Sequence, residues 1–149
     1  YGEVVSTLFA EAVDEARRSG RGRGPARTVS LVRRLVGTLV ADPPLRRFVS
    51  HDPELALRVL MSARSPVGRR CTEVVRALLE EEKRAGRVRS RMDPGSLAEV
   101  VVRIGEAFLY RDVLAGEAPD VGKAVTAIGI LVGATRPSRL PARRVRIGA

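Results

Sequence analysis

The stretch Met92–Leu114, MDPGSLAEVVVRIGEAFLYRDVL, decides the fold class of this 149-residue chain. Asp93-Pro94 is typical of a helix start, because the Asp side chain can cap free N–H groups and Pro has no N–H that needs a partner. Glu99, Arg103 and Glu106 recur at i, i+4 and i+7, which places these polar residues on one stripe. The rest of the helix surface is largely apolar, which predicts burial on more than one side.

The same start signal recurs at Asp42-Pro43, Asp52-Pro53 and Ser65-Pro66. Apolar residues follow at helical spacing, whereas strand signals are nearly absent. These patterns predict an all-α bundle of about seven helices. The expected helices are Gly2–Ser19, about Ala26–Ala41, a short one from Asp42-Pro43-Pro44, one from Asp52-Pro53, one from Ser65-Pro66 to about Ala85, one from Asp93-Pro94 to near Ala115, and one from Pro119 or Asp120 to near Gly133.

The last predicted helix has two apolar stripes. The first contains Val121, Val125, Ile128 and Val132, and the second contains Ala124, Ala127 and Leu131. A single domain of this size rarely hides two such helices completely, so a partner subunit is the expected cover. A homodimer whose last two helices form a four-helix bundle is therefore predicted. The alternative is a helical hairpin buried wholly within one chain. The residues expected in the dimer interface are Val121, Val125, Ile128 and Val132.

The positive charge is concentrated in two segments. The formal net charge is +10, and ten arginines lie in 17–27 and 136–149, where there is no acidic residue. Both segments are rich in Gly or Pro, so we expect a solvated loop and a disordered tail. The expected division is a folded domain over 1–134 and a basic tail over 135–149. The alternative is contact with DNA phosphates, in a regulator or in a stand-alone helical interaction or nucleic-acid-binding module.

Enzyme chemistry finds no support in the sequence. His51 is the single histidine and is expected on the surface, while Cys71 is the single cysteine and is expected to be a small buried hydrophobe. Glu80-Glu81-Glu82 has no matching set of metal ligands, and the run Glu80–Arg84 is expected to be a solvated face. No catalytic residue, metal site or cofactor is therefore predicted.

The cellular setting is inferred from what the sequence contains. One cysteine cannot form an internal disulfide, and no apolar run reaches the roughly 18 residues of a membrane span. No signal peptide is recognisable, so a cytoplasmic protein without membrane contact is expected. The Arg-rich, Lys-poor composition indicates a GC-rich genome, such as that of an actinobacterium.

Met92–Tyr110 is similar to the penultimate helix of TetR-family transcriptional regulators of the QsdR-like kind, and Asp112–Val121 resembles the loop into their last helix. Leu45–Phe48 and Asp52–Arg58 resemble the short helices in the middle of that domain. The segment Ala77–Glu82, followed by Ala85-Gly86-Arg87, also fits the resemblance to that domain. The resemblance covers about Gly2 to Gly133, and its most specific part is the run from Met92 to Val121.

The resemblance implies a two-part regulator. An N-terminal helix-turn-helix domain would read DNA, and a larger helical domain would bind a small molecule and dimerise through its last two helices. Tyr1–Val5 resembles the start of the connecting helix, so we expect this chain to lack the DNA-reading domain, with operator DNA bound only by the full-length protein. The family also favours a repressor, in which the effector shifts the connecting helix and alters DNA affinity.

The effector pocket is expected among the central helices. Its aliphatic lining predicts a small, mostly apolar effector, which Arg103, Glu106 and Tyr110 are best placed to orient. The alternative for these three is an interhelical salt bridge and a tyrosine at the rim, and for the apolar residues it is plain core. The candidate lining residues are Phe9, Leu35, Leu39, Leu57, Met61, Val74, Leu78, Val101, Ile104 and Phe108.

Overall fold

The computed structural model describes Thr7, Glu11, Asp14, Glu15 and Arg18, together with the ranges 22–61, 65–117 and 120–133. Within these residues the regular structure is helical and includes no strand, which confirms the predicted all-α class. The five isolated N-terminal residues are helical, and the rest of the first predicted helix and the tail over 135–149 lie outside the described residues. Six further helices are defined: α1 (Pro25–Ala41), α2 (Pro43–His51), α3 (Pro53–Met61), α4 (Pro66–Arg84), α5 (Pro94–Leu114) and α6 (Val121–Val132).

The predicted helix starts carry side-chain caps. A carboxylate oxygen of Asp93 accepts the backbone N–H of Ser96 at 2.8 Å, just before α5. Asp52, Ser65 and Asp120 each accept in the same way from the residue three positions later, at the starts of α3, α4 and α6. These bonds satisfy N–H groups that have no partner within the helix, so the Asp/Ser-Pro signals act as predicted.

The core lies between four helices. α4 packs along α5, and α6 packs against both α1 and α5, while α2 contacts α3 and α1, and α3 also contacts α4 and α5. The apolar stripes of these helices meet in one cluster, in agreement with the helical spacing in the sequence. Its most deeply buried side chains are Leu31, Val75, Leu79, Leu97, Ala98, Val101, Ile128 and Val132.

A charged residue continues the buried stripe of α4. Val75, Leu79 and Glu82 follow one another at helical spacing, and Glu82 has an exposed fraction of 0%. The expectation that Glu80–Arg84 forms a solvated face is therefore wrong for Glu82. Its position on the apolar side of the helix decides its burial, whereas Glu81, Lys83 and Arg84 on the other sides are exposed.

Four hydrogen bonds satisfy the buried Glu82 carboxylate. The backbone N–H of Gly24 donates to it at 2.7 Å, and the Arg27 guanidinium donates at 2.9 Å. The Arg87 guanidinium donates two more. Arg27 was expected in a solvated loop and instead lies half-buried in the first turn of α1. We call these four residues the Glu82 cluster, which joins the start of α1 to the end of α4.

The close approach of Gly24 to Arg87 requires a glycine. Gly24 has φ of +63°, and a Cβ placed there would lie 3.1 Å from the carbonyl oxygen of Arg87. Any other residue would meet both the strain of the left-handed conformation and this backbone contact. The glycine thus allows its own N–H to reach the Glu82 carboxylate.

Glu82→Gln is expected to lower the free energy of unfolding at pH 7 by roughly 2–4 kcal/mol, because two guanidinium groups lose their carboxylate. Hydrogen bonds from Arg87, Arg27 and Gly24 lower the pKa of Glu82 from 4.5 to about 2. A depressed pKa contributes stability that is present above the unfolded value and is lost as the pH falls from about 4.5 towards 2. Urea denaturation across this range should show a steeper loss for the wild type than for the variant.

Glu81→Gln is the matched control for this measurement. Its carboxylate also lies 2.9 Å from Arg27, but its side chain is 52% exposed. An exposed ion pair contributes little, so this variant should lose less than about 1 kcal/mol. Equal losses for the two variants would contradict a special role for the Glu82 carboxylate.

Two isoleucines in α6 offer a second test of the core. Ile128 is fully buried, whereas Ile130 is 55% exposed. Ile128→Ala should destabilise the fold by roughly 2–5 kcal/mol, because it removes buried methyl groups and leaves a cavity. Ile130→Ala should change the free energy of unfolding by no more than about 0.5 kcal/mol. Chemical denaturation of both variants measures the difference, and similar losses would mean that α6 is oriented differently.

Candidate functional site

The candidate pocket residues are distributed over the core and its edge. Leu35, Val74, Leu78 and Val101 belong to the buried cluster, so in this structure they are core residues. Ile104 is partly buried against that cluster, Phe108 is half-buried and Arg103 is exposed. Glu106 is half-buried. Phe9 and the side chains of Leu39, Leu57, Met61 and Tyr110 lie outside the described part of the structure.

The Glu106 carboxyl lies between α5 and the first turns of α4. Its Oε1 atom is 3.8 Å from the position that a Cβ of Gly68 would occupy. The Cys71 thiol lies one turn further along α4, and the electrostatic influence of Glu106 reaches it. A Cβ at residue 68 would be in ordinary van der Waals contact with the carboxyl, which lies over the first turn of α4. The Gly68 N–H is itself taken by the Ser65 hydroxyl, which accepts it at 3.5 Å.

Burial sets the electrostatics of this region. Desolvation raises the pKa of Glu106, and the positive charge of Arg103 acts in the opposite direction. Desolvation also raises the pKa of Cys71 to about 12, with a further contribution from the negative charge of Glu106. The Cys71 thiol is therefore neutral at pH 7 and acts as a small apolar group, as the sequence suggested.

Glu106 has no partner among the described side chains. None of them donates a hydrogen bond to its carboxyl or forms an ion pair with it, and this includes Arg103. The two residues lie on the same helix and do not pair with each other, and the interhelical salt bridge stays an alternative prediction for them. The Glu106 carboxyl is thus half-buried and has no donor among the described side chains. We therefore take the surface formed by Gly68, Cys71 and Glu106 as the candidate site.

The N-terminal stretch touches α4 beside this site. The Arg70 guanidinium lies 3.8 Å from the Asp14 carboxylate and also 3.8 Å from that of Glu73. All three side chains are about half exposed, so these pairs contribute little energy. These ion pairs matter for their position, because Arg70 follows Gly68 by two residues and adjoins Cys71. The contact places helical residues of the N-terminal stretch next to the candidate site.

The predicted dimer-interface residues lie mostly inside the chain's own core. Val125, Ile128 and Val132 are at most 4% exposed, and Val121 is partly buried against the same cluster. In this structure α1 and α5 pack against α6 and these side chains belong to the chain's own core, while their place in a subunit interface stays a prediction. The apolar pattern identified burial but did not distinguish a partner subunit from the chain's own helices.

The outward face of α6 has a different composition. Ile130 is 55% exposed, and Thr126 and Lys123 lie on the same side at helical spacing. On the neighbouring α5, Arg103 and Ala107 are exposed. Among the described residues, the outward side of α6 thus carries one large apolar side chain beside polar ones.

The described part of the chain contains neither a metal-binding cluster nor a membrane-spanning helix. His51 is exposed at the end of α2, and no three His, Cys, Asp or Glu side chains among the described residues come together to hold a metal ion. The described helices include none that combines the length and apolar character needed to span a bilayer. Sequence reasoning had not identified the Glu82 cluster, although the continuation of the α4 stripe through residue 82 was the available signal.

The sequence and the fold of this chain are similar to those of known proteins. Residues 23–133 match the family model described as tetracyclin repressor-like, C-terminal domain. The solved structure of the R. erythropolis transcriptional repressor QsdR from the TetR family is similar, with a TM-score of 0.81 and 22% sequence identity. That match covers 91% of this chain and 71% of the QsdR chain. No curated protein sequence matches. Because the family model spans well over half of the residues, the chain belongs to the TetR family, as a tetracyclin repressor-like C-terminal domain.

Proposed function

We propose that this chain is the ligand-responsive, dimeric core of a TetR-type transcriptional regulator. A small, mostly apolar effector would bind it and alter the DNA affinity of the full-length protein, with repression as the default state. The observation that carries this proposal is the family match over residues 23–133. The similar structure of a protein described as a transcriptional repressor supports the direction of regulation.

The operator would be bound by an N-terminal DNA-reading domain that precedes Tyr1 in the full-length protein. The resemblance to TetR regulators implies such a domain, and the match to QsdR leaves part of that chain uncovered. A protein that acts on bacterial operator DNA works in the cytoplasm, which is the proposed location. Catalysis is not part of this function.

The effector is proposed to bind at the surface of Gly68, Cys71 and Glu106, between α4 and α5. Burial around the carboxyl and the neutral thiol suit a largely apolar molecule with one polar group. The contact between Arg70 and Asp14 supports a route to the N-terminal stretch, because a molecule that displaces the first turn of α4 also displaces Arg70. Such coupling between two sites is worth typically about 1–3 kcal/mol.

The dimer is proposed to form through the outward faces of α5 and α6. Isologous pairing places the same residues of both subunits opposite each other, so the exposed Ile130 would meet apolar surface of the partner. Ala107 and Thr126 would allow close approach of the helices. This arrangement uses the last two helices, as the family resemblance implies, without removing Val125 or Ile128 from the core.

Ile130→Glu is expected to convert the dimer into a monomer, because each interface would bury a carboxylate near the symmetry axis without a partner. Light scattering coupled to size exclusion at micromolar concentration measures the mass. Leu55→Glu is the matched control, since Leu55 is the other large hydrophobic that is exposed among the described residues, at 42%. It lies on α3 and should leave the dimer intact. A monomeric wild type, or dimers of Ile130→Glu, would contradict this interface.

Native mass spectrometry of the purified chain tests the effector site. We expect an added small-molecule mass, one per protomer, that is released when the protein unfolds. Calorimetry with 1-octanol after unfolding and refolding should then show saturable binding to the emptied site, since the alcohol offers an apolar body and one polar group. Bare protomer masses together with no saturable heat for 1-octanol would overturn the proposed function.

A further inference from the structure

The Glu82 cluster brings together two basic segments that are far apart in the sequence. Residues 22–27 contain two arginines, residues 83–92 contain four arginines and one lysine, and neither segment contains an acidic residue. The Gly24 N–H donates to the Glu82 carboxylate at 2.7 Å, and the Cβ position of Gly24 lies 3.1 Å from the carbonyl oxygen of Arg87. The two segments therefore meet at one end of the bundle, and we call them together the basic end.

The segment that follows α4 is held in place by the core. Exposed and inward-facing residues alternate along it, as they do on an extended backbone. The exposed residues are Arg87, Arg89 and Arg91, and those between and after them, which are buried or partly buried, are Val88, Ser90 and Met92. Val88 belongs to the apolar cluster and Met92 packs against it. The backbone N–H groups of Arg87 and Val88 also donate to the carbonyl oxygen of Glu82, at 2.9 and 3.3 Å.

The exposed arginines of this segment form a row with a regular spacing. At about 3.3 Å per residue, every second residue of an extended chain lies roughly 6–7 Å further along. Arg87 is paired with the Glu82 carboxylate, and Arg89 and Arg91 continue the row on the surface. Arg23, which is exposed beside Gly24, adds a positive charge from the other segment.

A fixed row of positive charges is complementary to a polyanion whose charges also have a regular spacing. The phosphates of a nucleic-acid strand have this arrangement, with one negative charge per nucleotide. An acidic polypeptide carries its charges on flexible side chains, which must lose conformational freedom to match the row. A membrane surface would favour apolar side chains beside the basic ones, but Val88 and Met92 face inward. The basic end therefore suits a nucleic-acid backbone best.

We propose that the basic end binds the phosphate backbone of double-stranded DNA independently of sequence. This contact would be additional to the operator contact of the proposed regulator. Arginine contacts to phosphates position a protein on the duplex but carry no sequence information. The choice of DNA as the polyanion rests on the proposed function, because a TetR-type regulator works at DNA.

Fluorescence anisotropy of the full chain with two labelled duplexes of unrelated sequence, each of about 20 base pairs, tests the proposal. The two affinities are expected to agree within about twofold and to fall as the NaCl concentration rises from about 20 to 200 mM. Arg89→Gln/Arg91→Gln should weaken binding to both duplexes equally. It should also reduce the slope of log affinity against log salt by roughly 2, since each phosphate contact contributes about 0.9.

Arg46→Gln/Arg47→Gln is the matched control, because it removes the same charge from two neighbouring exposed arginines of α2. The basic end lies at the amino end of α1, and α2 follows the carboxyl end of this 17-residue helix, roughly 25 Å away at about 1.5 Å per residue. The control pair should change the slope by less than about 0.5, whereas Arg23→Gln should reduce it by roughly 1.

Several results would contradict the proposal. These are no salt-dependent binding of the wild type to either duplex, equal changes in slope for the two arginine pairs, and a preference of more than about tenfold for one duplex. If poly-L-glutamate binds through Arg89 and Arg91 and DNA does not, the surface takes an acidic polypeptide and the DNA assignment is overturned. The dimer mass and the effector measurements test the proposed function separately, because neither involves DNA.

Discussion

The buried carboxylate of Glu82 is the interaction on which the arrangement of this domain depends. Three segments that are distant in sequence donate to it: the residue before α1, the first turn of α1, and the segment after α4. A buried charge is tolerated only when its hydrogen-bonding capacity is filled, so these segments must be in place together. The positions of α1 and α4 are therefore fixed by a polar contact as well as by the apolar cluster, and α6 packs against a helix that is already held.

Glu82 and Glu106 are both glutamates with perturbed pKa values, but their surroundings differ. Hydrogen bonds to Glu82 lower its pKa, whereas desolvation without donors raises the pKa of Glu106. The Glu82 carboxylate is fully hydrogen-bonded within the chain and stabilises the fold. The Glu106 carboxyl has no donor within the described part of the chain, and it lies beside Arg70, where the N-terminal stretch touches α4. In the proposed regulator, an effector bound there would lie next to the N-terminal stretch that contacts α4.

Sequence periodicity and capping residues were sufficient to predict where helices lie, but not which helix or subunit each one packs against. The Asp/Ser-Pro signals located the starts of α3, α4 and α5, because capping is a local interaction. The apolar stripe of α6 was recognised as buried, yet whether Ile128 faces another helix or another subunit depends on tertiary packing that a stripe does not encode. Glu82 was misassigned because its charged neighbours dominate the local composition, while its register on the helix places it inside. Glu106 was identified as a polar candidate, but that it has no donor among the described side chains could only be seen in three dimensions.

The N-terminal stretch is attached to α4 at two places, and their separation has a mechanical consequence. Gly24 is tied to Glu82 near the carboxyl end of α4, and Asp14 contacts Arg70 near its amino end. Twelve residues of helix between 70 and 82 span roughly 18 Å, at about 1.5 Å per residue. With the Glu82 end held, a displacement of about 1 Å at the Arg70 end corresponds to a rotation of roughly 3° over that span. A small shift at the Arg70 end of α4 is thus a rotation of the helix about its Glu82 end. The displacement that this rotation causes grows with distance from Glu82.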